Sequence, residues 1–383
     1  TARGAGDTAL AAELTGLANQ DRRIPNTATE SWSAGSGLAL ITGGGELGIS
    51  LGYFDTSYGI PDRPAAGLEP VTIGLKQWRA DIRGEVQIGG LIDRLRVRAG
   101  FADYTHTEFE GDAIGTTFLN QGLEARAELV QADRGGWSGA TGVQYFARDF
   151  NAIGDEAFIP QNDTEQFALF SLQEFHFGPV SLEASGRFEH TSVSANSLDF
   201  DRSFNALSGA LGLSYEFGTN RKVGVNFART SRAPSAEELL SDGPHVATQS
   251  YERGDPNFAI ERSWSAEAFV KLRTGGANIA ITAFANWFDN LIYARDTGLI
   301  LDDLPLFQYA QTNARYVGVE LEADAPLTQF GGYTLSANLT GDLIRARLAN
   351  GGGNVPRIPP ARLRGGLELR GDVLTLAGEV EWT

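Results

Sequence analysis

Apolar and polar side chains alternate one by one along most of this chain. Leu95, Val97, Ala99 and Phe101 share one parity, while Arg94, Arg96 and Arg98 take the other. Leu123, Ala125, Ala127 and Leu129 alternate in the same way with Glu124, Arg126 and Glu128. The rhythm returns at Ile279, Ile281 and Ala283 against Asn278, Ala280 and Thr282, and at Val317, Val319 and Leu321 against Gly318, Glu320 and Glu322. Successive side chains of an extended strand point to opposite faces, so this period predicts β-strands with one apolar and one polar face. Alternation alone does not say which face meets water.

The connections do say. Tight turns recur at Gly43-Gly44-Gly45, Gly89-Gly90, Arg134-Gly135-Gly136, Gly178-Pro179, Gly218-Thr219-Asn220, Gly275-Gly276, Gly331-Gly332 and Arg370-Gly371-Asp372. Between them lie polar stretches centred near residues 60, 112, 157, 198, 245, 303 and 353, expected to be long loops. A sheet with short hairpins at one end and long ones at the other fits an outer-membrane barrel, short end to the periplasm and recognition at the long end. A water-soluble sandwich would alternate too, with inside and outside exchanged; segment length and one-sided loops favour the barrel. The expected fold is all-β: a transmembrane antiparallel up-and-down β-barrel forming one domain over residues 1–383. We count about 17 strands, each able to supply the ~9–11 residues that cross a bilayer with tilt. Complete bacterial single-chain barrels have even counts, so the odd number predicts a fragment.

Composition narrows the function. No apolar run approaches the ~18 residues of a membrane-spanning helix. Cysteine is absent, which excludes disulfides, thiolate metal sites and cysteine nucleophiles. A net charge of −17 argues against nucleic-acid binding. It fits solvated acidic loops, or a surface that attracts cations. The chain has no methionine and no signal peptide, which fits an N-terminal part removed or excluded, and it stops in mid-strand at Glu379-Val380-Glu381-Trp382-Thr383.

Only four histidines occur. His106 lies in Tyr104-Thr105-His106-Thr107-Glu108-Phe109-Glu110, on the parity of Arg96 and Arg98, so Tyr104, His106, Glu108 and Glu110 are expected to face the lumen. A histidine and a carboxylate two positions apart on one strand face can share a metal ion, and solvated residues at a loop base are the other reading. His245, in the longest loop beside Pro244 and near Asp242 and Glu252, is a second candidate ligand. His176 precedes the Gly178 turn and reads as structural. His190 and Ser192 are the only serine–histidine proximity at strand spacing, and nothing marks an orienting third group, so no enzyme is expected.

Residues 227–270 run Phe-Ala-Arg-Thr-Ser-Arg-Ala-Pro-Ser-Ala-Glu-Glu-Leu-Leu and then, after a variable stretch, Glu-Arg-Gly-Asp-Pro-Asn-Phe-Ala-Ile-Glu-Arg-Ser-Trp. With Ala283–Ile292, Asn313–Ala323 and Val355–Pro360 following in order, this resembles the barrel of TonB-dependent outer-membrane receptors. Physically, Pro234 should stop a strand after Arg232, and Ser235 should cap a helical turn through Glu238. Gly318 should mark a crowded point in the wall, and Pro356, Pro359 and Pro360 should hold an entry loop extended. The resemblance implies a barrel of roughly 22 strands whose last strands are absent here. It also implies a missing N-terminal plug, contacted by the TonB–ExbB–ExbD energy-coupling system, outer-membrane lipid around the wall, and active import without covalent chemistry or a cofactor.

Tyr-x-His-x-Glu with Gly115–Asn120, then Arg148–Pro160, then Gly243-Pro244-His245-x-Ala247-Thr248, is similar to the zinc-uptake (ZnuD-like) branch of that family. That similarity implies zinc import, with His106, Glu108 and His245 as metal ligands. Members of the branch often carry a histidine-rich loop after Tyr-Gly-Ile-Pro, whereas Tyr58-Gly59-Ile60-Pro61 is followed here by Asp62-Arg63-Pro64. Asp155, Glu156, Asp302 and Asp303 are acidic loop residues that would concentrate cations. The alternative cargo is a siderophore or haem-like chelate, met by Tyr251, Arg253, Phe307, Tyr309 and Arg315. A passive porin or adhesin is the reading outside active transport.

Overall fold

The computed structural model describes residues 8–19, 24–61, 70–154, 157–245 and 248–383. A helix α1 (Thr8–Ala18) precedes β1 (Thr29–Thr42), β2 (Gly45–Gly59), β3 (Val71–Gly89), β4 (Ile92–Glu110), β5 (Ala113–Gln131) and β6 (Trp137–Gly154). Next come β7 (Asn162–Phe177), β8 (Val180–Ala195), β9 (Phe200–Glu216) and β10 (Arg221–Arg232). After a helical turn α2 (Ala236–Leu240) lie two short strands, β11 (Asp242–His245) and β12 (Ser250–Arg253). The chain then completes β13 (Glu261–Thr274), β14 (Ala277–Leu301), β15 (Leu304–Phe330), β16 (Tyr333–Leu348), β17 (Arg362–Arg370) and β18 (Thr375–Trp382).

Each long strand pairs antiparallel with the next, and β10 passes directly to β13, giving an up-and-down meander. Of the eighteen strands among the described residues, β11 and β12 pair as a hairpin apart from the wall. Sixteen wall strands remain, against the about 17 counted from the sequence at ~9–11 residues per crossing. The count is even, so strand parity no longer argues for a fragment. What the structure does show is an open sheet: among the described residues, β1 pairs only with β2 and β18 only with β17.

The faces settle the question that alternation left open. Leu38, Ile49, Trp78, Phe101, Leu123, Leu169, Leu211 and Ile281 all stand on the exposed side of the wall, Leu38 at 80 % exposure. Apolar side chains in such numbers are stable outward only against lipid. The opposite face carries the charges. Arg94 and Arg96 reach Glu85 at 2.9 and 3.2 Å, Arg126 reaches Glu128 at 2.6 Å, and Arg187 reaches Glu189 at 2.7 Å. No helix among the described residues is long and apolar enough to cross a membrane; the strands make the crossing.

Three expected loops are not long: the stretch near 198 is a four-residue connection with one 3-10 turn, and the other two are taken up by strands. The stretches near 112 and 303 are two-residue turns, Gly111-Asp112 and Asp302-Asp303, at the tips of extended hairpins. Asp302 and Asp303 both adopt positive φ, the conformation a tight two-residue hairpin turn demands. β14 and β15 run for 25 and 27 residues. Since a crossing takes ~9–11, more than half of each lies beyond the lipid band. The proline entry loop also departs from a purely extended path, because Pro356 and Arg357 form a turn with Arg357 at φ 62°. Gly318 behaves as expected: a Cβ there would lie 2.4 Å from the Phe284 ring and 2.9 Å from the Leu343 carbonyl.

The lumen holds an apolar core only at the end away from the Gly-rich turns. There the segment between β10 and β13 folds inward, burying Ala236, Leu239 and Leu240 of α2 with Phe118, Phe150, Phe158 and Val193. The sequence explains the path. β10 ends at Arg232, and Ser235 and Glu238 form a capping box that satisfies the first free N–H groups of α2. Arg232 is clamped between Glu238 and Glu261, at 2.8 and 3.1 Å, and Glu237 meets Arg148 of β6 at 2.8 Å. Arg202 of β9 donates to the carbonyls of Pro256 and Phe258. The inserted segment is therefore tied to β6, β9 and β13.

Two outcomes are expected. Unpaired edges in lipid leave backbone groups unsatisfied. The 383-residue chain refolded in detergent should therefore run identically heated and unheated on a denaturing gel; a heat-shifted, protease-resistant band would show that the edges close. The second concerns Glu237. Burial acts to raise its carboxyl, but Arg148 outweighs this and holds it below the usual value of 4.5. Its contribution is present at neutral pH and is lost as pH falls through that lowered value. Amide protection of residues 236–245 should drop as pH is taken from neutral to well below 4.5, and Glu237→Gln should be less protected at neutral pH and respond less. Equal protection in both proteins across that range would remove the Arg148–Glu237 tie from the account.

Candidate functional site

Register and parity carry His106 and Glu108 to the site. On β4 both point inward, as Arg96 does, and across the strand pair they face Phe118 and Thr116 of β5. The register slips just past Glu108, where Gly115 is the extra residue on β5. Such a bulge re-aims neighbouring side chains. Glu108 is buried, at 6 % exposure. His245 arrives from the inserted hairpin, at the end of β11. Its Nε2 lies 3.7 Å from Glu108 Oε1, and His106 Nε2 lies 3.7 Å from that same oxygen. The three residues named from sequence, drawn from distant parts of the chain, converge on one carboxylate.

Each imidazole is held at its other nitrogen. His106 Nδ1 shares a hydrogen bond with the Tyr104 hydroxyl at 2.8 Å. His245 Nδ1 sits 3.2 Å from Glu252 Oε1, which also accepts from the Thr248 and Ser250 hydroxyls. Each ring is also backed by a phenyl group. His106 stacks on Phe118 at 4.4 Å and His245 on Phe158 at 4.3 Å, with the two phenyl rings 6.0 Å apart. The apolar backing lowers the local dielectric and strengthens the charge interactions in front of it. Burial alone would lower the His245 imidazole, but the carboxylates of Glu108 and Glu252 outweigh it and push it up to about 9. Free of cargo at neutral pH, His245 is thus a cation between two carboxylates.

Among the described residues, no group of three or more histidine, aspartate or glutamate side chains stands as a ready-formed metal site. Two donor separations, both to Glu108 Oε1, nevertheless come near the spacing of such a site. Zinc bonds of 2.0–2.2 Å in a tetrahedron separate neighbouring donors by roughly 3.4 Å. The 3.7 Å separations here need a contraction of only a few tenths of an ångström.

Other expected residues lie elsewhere. Asp242 turns away from His245 and bonds Arg253 and Tyr251. Asp302 and Asp303 cap the tip of the β14–β15 hairpin. Asp155, Glu156, Ala247 and the stretch 62–69 lie outside the described residues. Of the chelate-binding candidates, Arg253 lies over the Tyr251 ring at 5.5 Å, and Phe307 is paired beside them with Glu252. Tyr251 is buried, Tyr309 packs against the apolar core, and Arg315 lies over Trp287 on the outer wall. His190 bonds Asn205 through Nδ1. His176, beside the Gly178 turn, bonds Ser181. Sequence reading missed Phe118, Phe158 and Thr116. For Phe118 and Thr116 a signal existed: they share the inward parity of β5, opposite His106 and Glu108.

Comparison with known proteins agrees with this architecture. The family model described as "TonB dependent receptor-like, beta-barrel" matches residues 6–382. Among solved structures, the Serratia marcescens hemophore receptor HasR, in complex with its hemophore HasA and heme, is 14% identical with a TM-score of 0.71. The copper transporter OprC is 12% identical at 0.76, and the siderophore receptor PirA from Pseudomonas aeruginosa 15% identical at 0.66. The alignments cover 91%, 91% and 92% of this chain but only 63%, 58% and 62% of those chains, so this chain spans under two thirds of their length. These likenesses establish the shared fold, and all three names are those of receptors or transporters. A lipid-facing meander matched by the family model over nearly its whole length belongs to the TonB-dependent receptors of the bacterial outer membrane.

Proposed function

We propose that the receptor containing this chain imports a divalent metal ion, zinc first, with His106, Glu108 and His245 as its ligands inside the barrel. One observation carries the reading: two imidazole nitrogens approach the same buried carboxylate oxygen, each at 3.7 Å. Imidazole and carboxylate together suit zinc better than oxygen donors alone. The other nitrogen of each ring is fixed by Tyr104 or Glu252, the outer support that metal-binding histidines usually have. On loading, His245 gives up its proton and the ion replaces that charge between the two carboxylates. The barrel passes cargo inward when a plug, supplied by the rest of the receptor, is drawn by TonB; no covalent step is involved.

A chelate such as a siderophore or haem-like complex is the competing cargo, supported by the names of the solved relatives. Its candidates Tyr251, Arg253 and Phe307 lie together beside β12 while Arg315 lies on the outer wall; the histidine–glutamate group is the one that supplies metal donors.

Titration calorimetry of the full receptor, plug included, with zinc and then with a ferric siderophore separates the two. Zinc binding is expected, and His106→Ala combined with His245→Ala should weaken it by at least about 100-fold, the loss of two direct ligands exceeding the 10–100-fold typical of a supporting residue. Unchanged zinc affinity in that double variant removes both residues from the site. Siderophore binding with no zinc binding transfers the cargo to chelates.

A further inference from the structure

Three protein donors leave one position of a tetrahedral ion open, and the question is what the wall offers there. Thr116 pairs with Glu108 in register and faces the lumen beside it. It is 1 % exposed, and its Oγ1 is one of three buried side-chain atoms among the described residues that have no hydrogen-bond partner. A buried hydroxyl without a partner costs stability, so it calls for a reason. The strand itself does not supply one. On the opposite face of the same strand pair, Thr107 and Thr117 bond each other at 3.1 Å. On its other side Thr116 is paired with Gly154, which has no side chain to bond it and no room for one, since a Cβ there would meet the Gly115 carbonyl at 2.2 Å. Thr116 and Phe118 on β5 and Glu108 and His106 on β4 thus make one four-residue patch, in which only the threonine is polar and unsatisfied.

We infer that Thr116 is a positioning residue for the cargo: its hydroxyl accepts a hydrogen bond from the water that fills the fourth place on an ion held by His106, Glu108 and His245. The inference rests on the metal-site reading given above. It makes the site an open one, receiving a partly hydrated ion, in contrast to a closed four-ligand cage.

The test compares wild type, Thr116→Val, Thr116→Ser and the His106→Ala/His245→Ala double variant in the full receptor. Zinc affinity is read by calorimetry, and thermal unfolding is read without metal. Valine keeps the shape and removes the unsatisfied hydroxyl. The metal-free Thr116→Val protein should therefore melt at the wild-type temperature or higher, while its zinc affinity falls about 10- to 100-fold. Serine should restore affinity. The opposite signs matter, because a merely structural threonine would lower both stability and affinity. Wild-type affinity in Thr116→Val, with binding lost in the double-histidine variant, overturns the role of Thr116 and leaves the metal site standing. Equal failure of wild type and double variant to bind zinc overturns the site and this inference together.

Discussion

A lipid-facing sheet has no water to satisfy its backbone, so every N–H and C=O in the membrane must be paired along the wall. This constraint organises the molecule. It forces consecutive antiparallel pairing from β1 to β18, interrupted only where the chain leaves the wall between β10 and β13. With the backbone committed, chemical choice passes to the side chains, and the pleat sorts them by parity: apolar outward, charged inward. His106 and Glu108 face the lumen for the same reason that Arg96 does.

That sorting made much of the fold legible. Two-residue alternation at Leu95–Phe101 and Leu123–Leu129 marked strands, and glycine pairs marked one set of turns. The polar stretches near 112 and 303 misled, because polar residues are equally at home in a strand standing clear of lipid. The site was legible only in part. Parity placed His106 with Glu108, but His245 reaches them through a capped turn, a hairpin and an apolar core of residues from many strands. No local pattern encodes that meeting. Phe158 illustrates the point: its side chain backs His245 from a loop whose course the sequence does not state.

The assembled group also shows how buried charges of one sign are held together. Two carboxylates facing each other in an apolar box would repel, and His245 carries the charge that prevents it. The arrangement is thus a stable ion-paired cluster in its own right. On the metal-site proposal, an arriving cation would meet donors already desolvated and oriented, and little of its binding energy would go into ordering them.

The long hairpin gives the hairpin-borne histidine an unusual attachment. β13 leaves β14 at Asp289, and β16 joins β15 only from Ala314. Beyond those points the two strands leave the meander, bent at irregularities after Phe288 and after Asp296, and pack Ile292, Leu304, Leu306 and Tyr309 against the apolar core and Tyr251. Their one further neighbour in the sheet is β12, lying parallel to β15 at Tyr251–Arg253. The long hairpin and the segment that holds His245 are thus packed as one body through Tyr251, Leu304 and Leu306, whereas His106 and Glu108 belong to the wall.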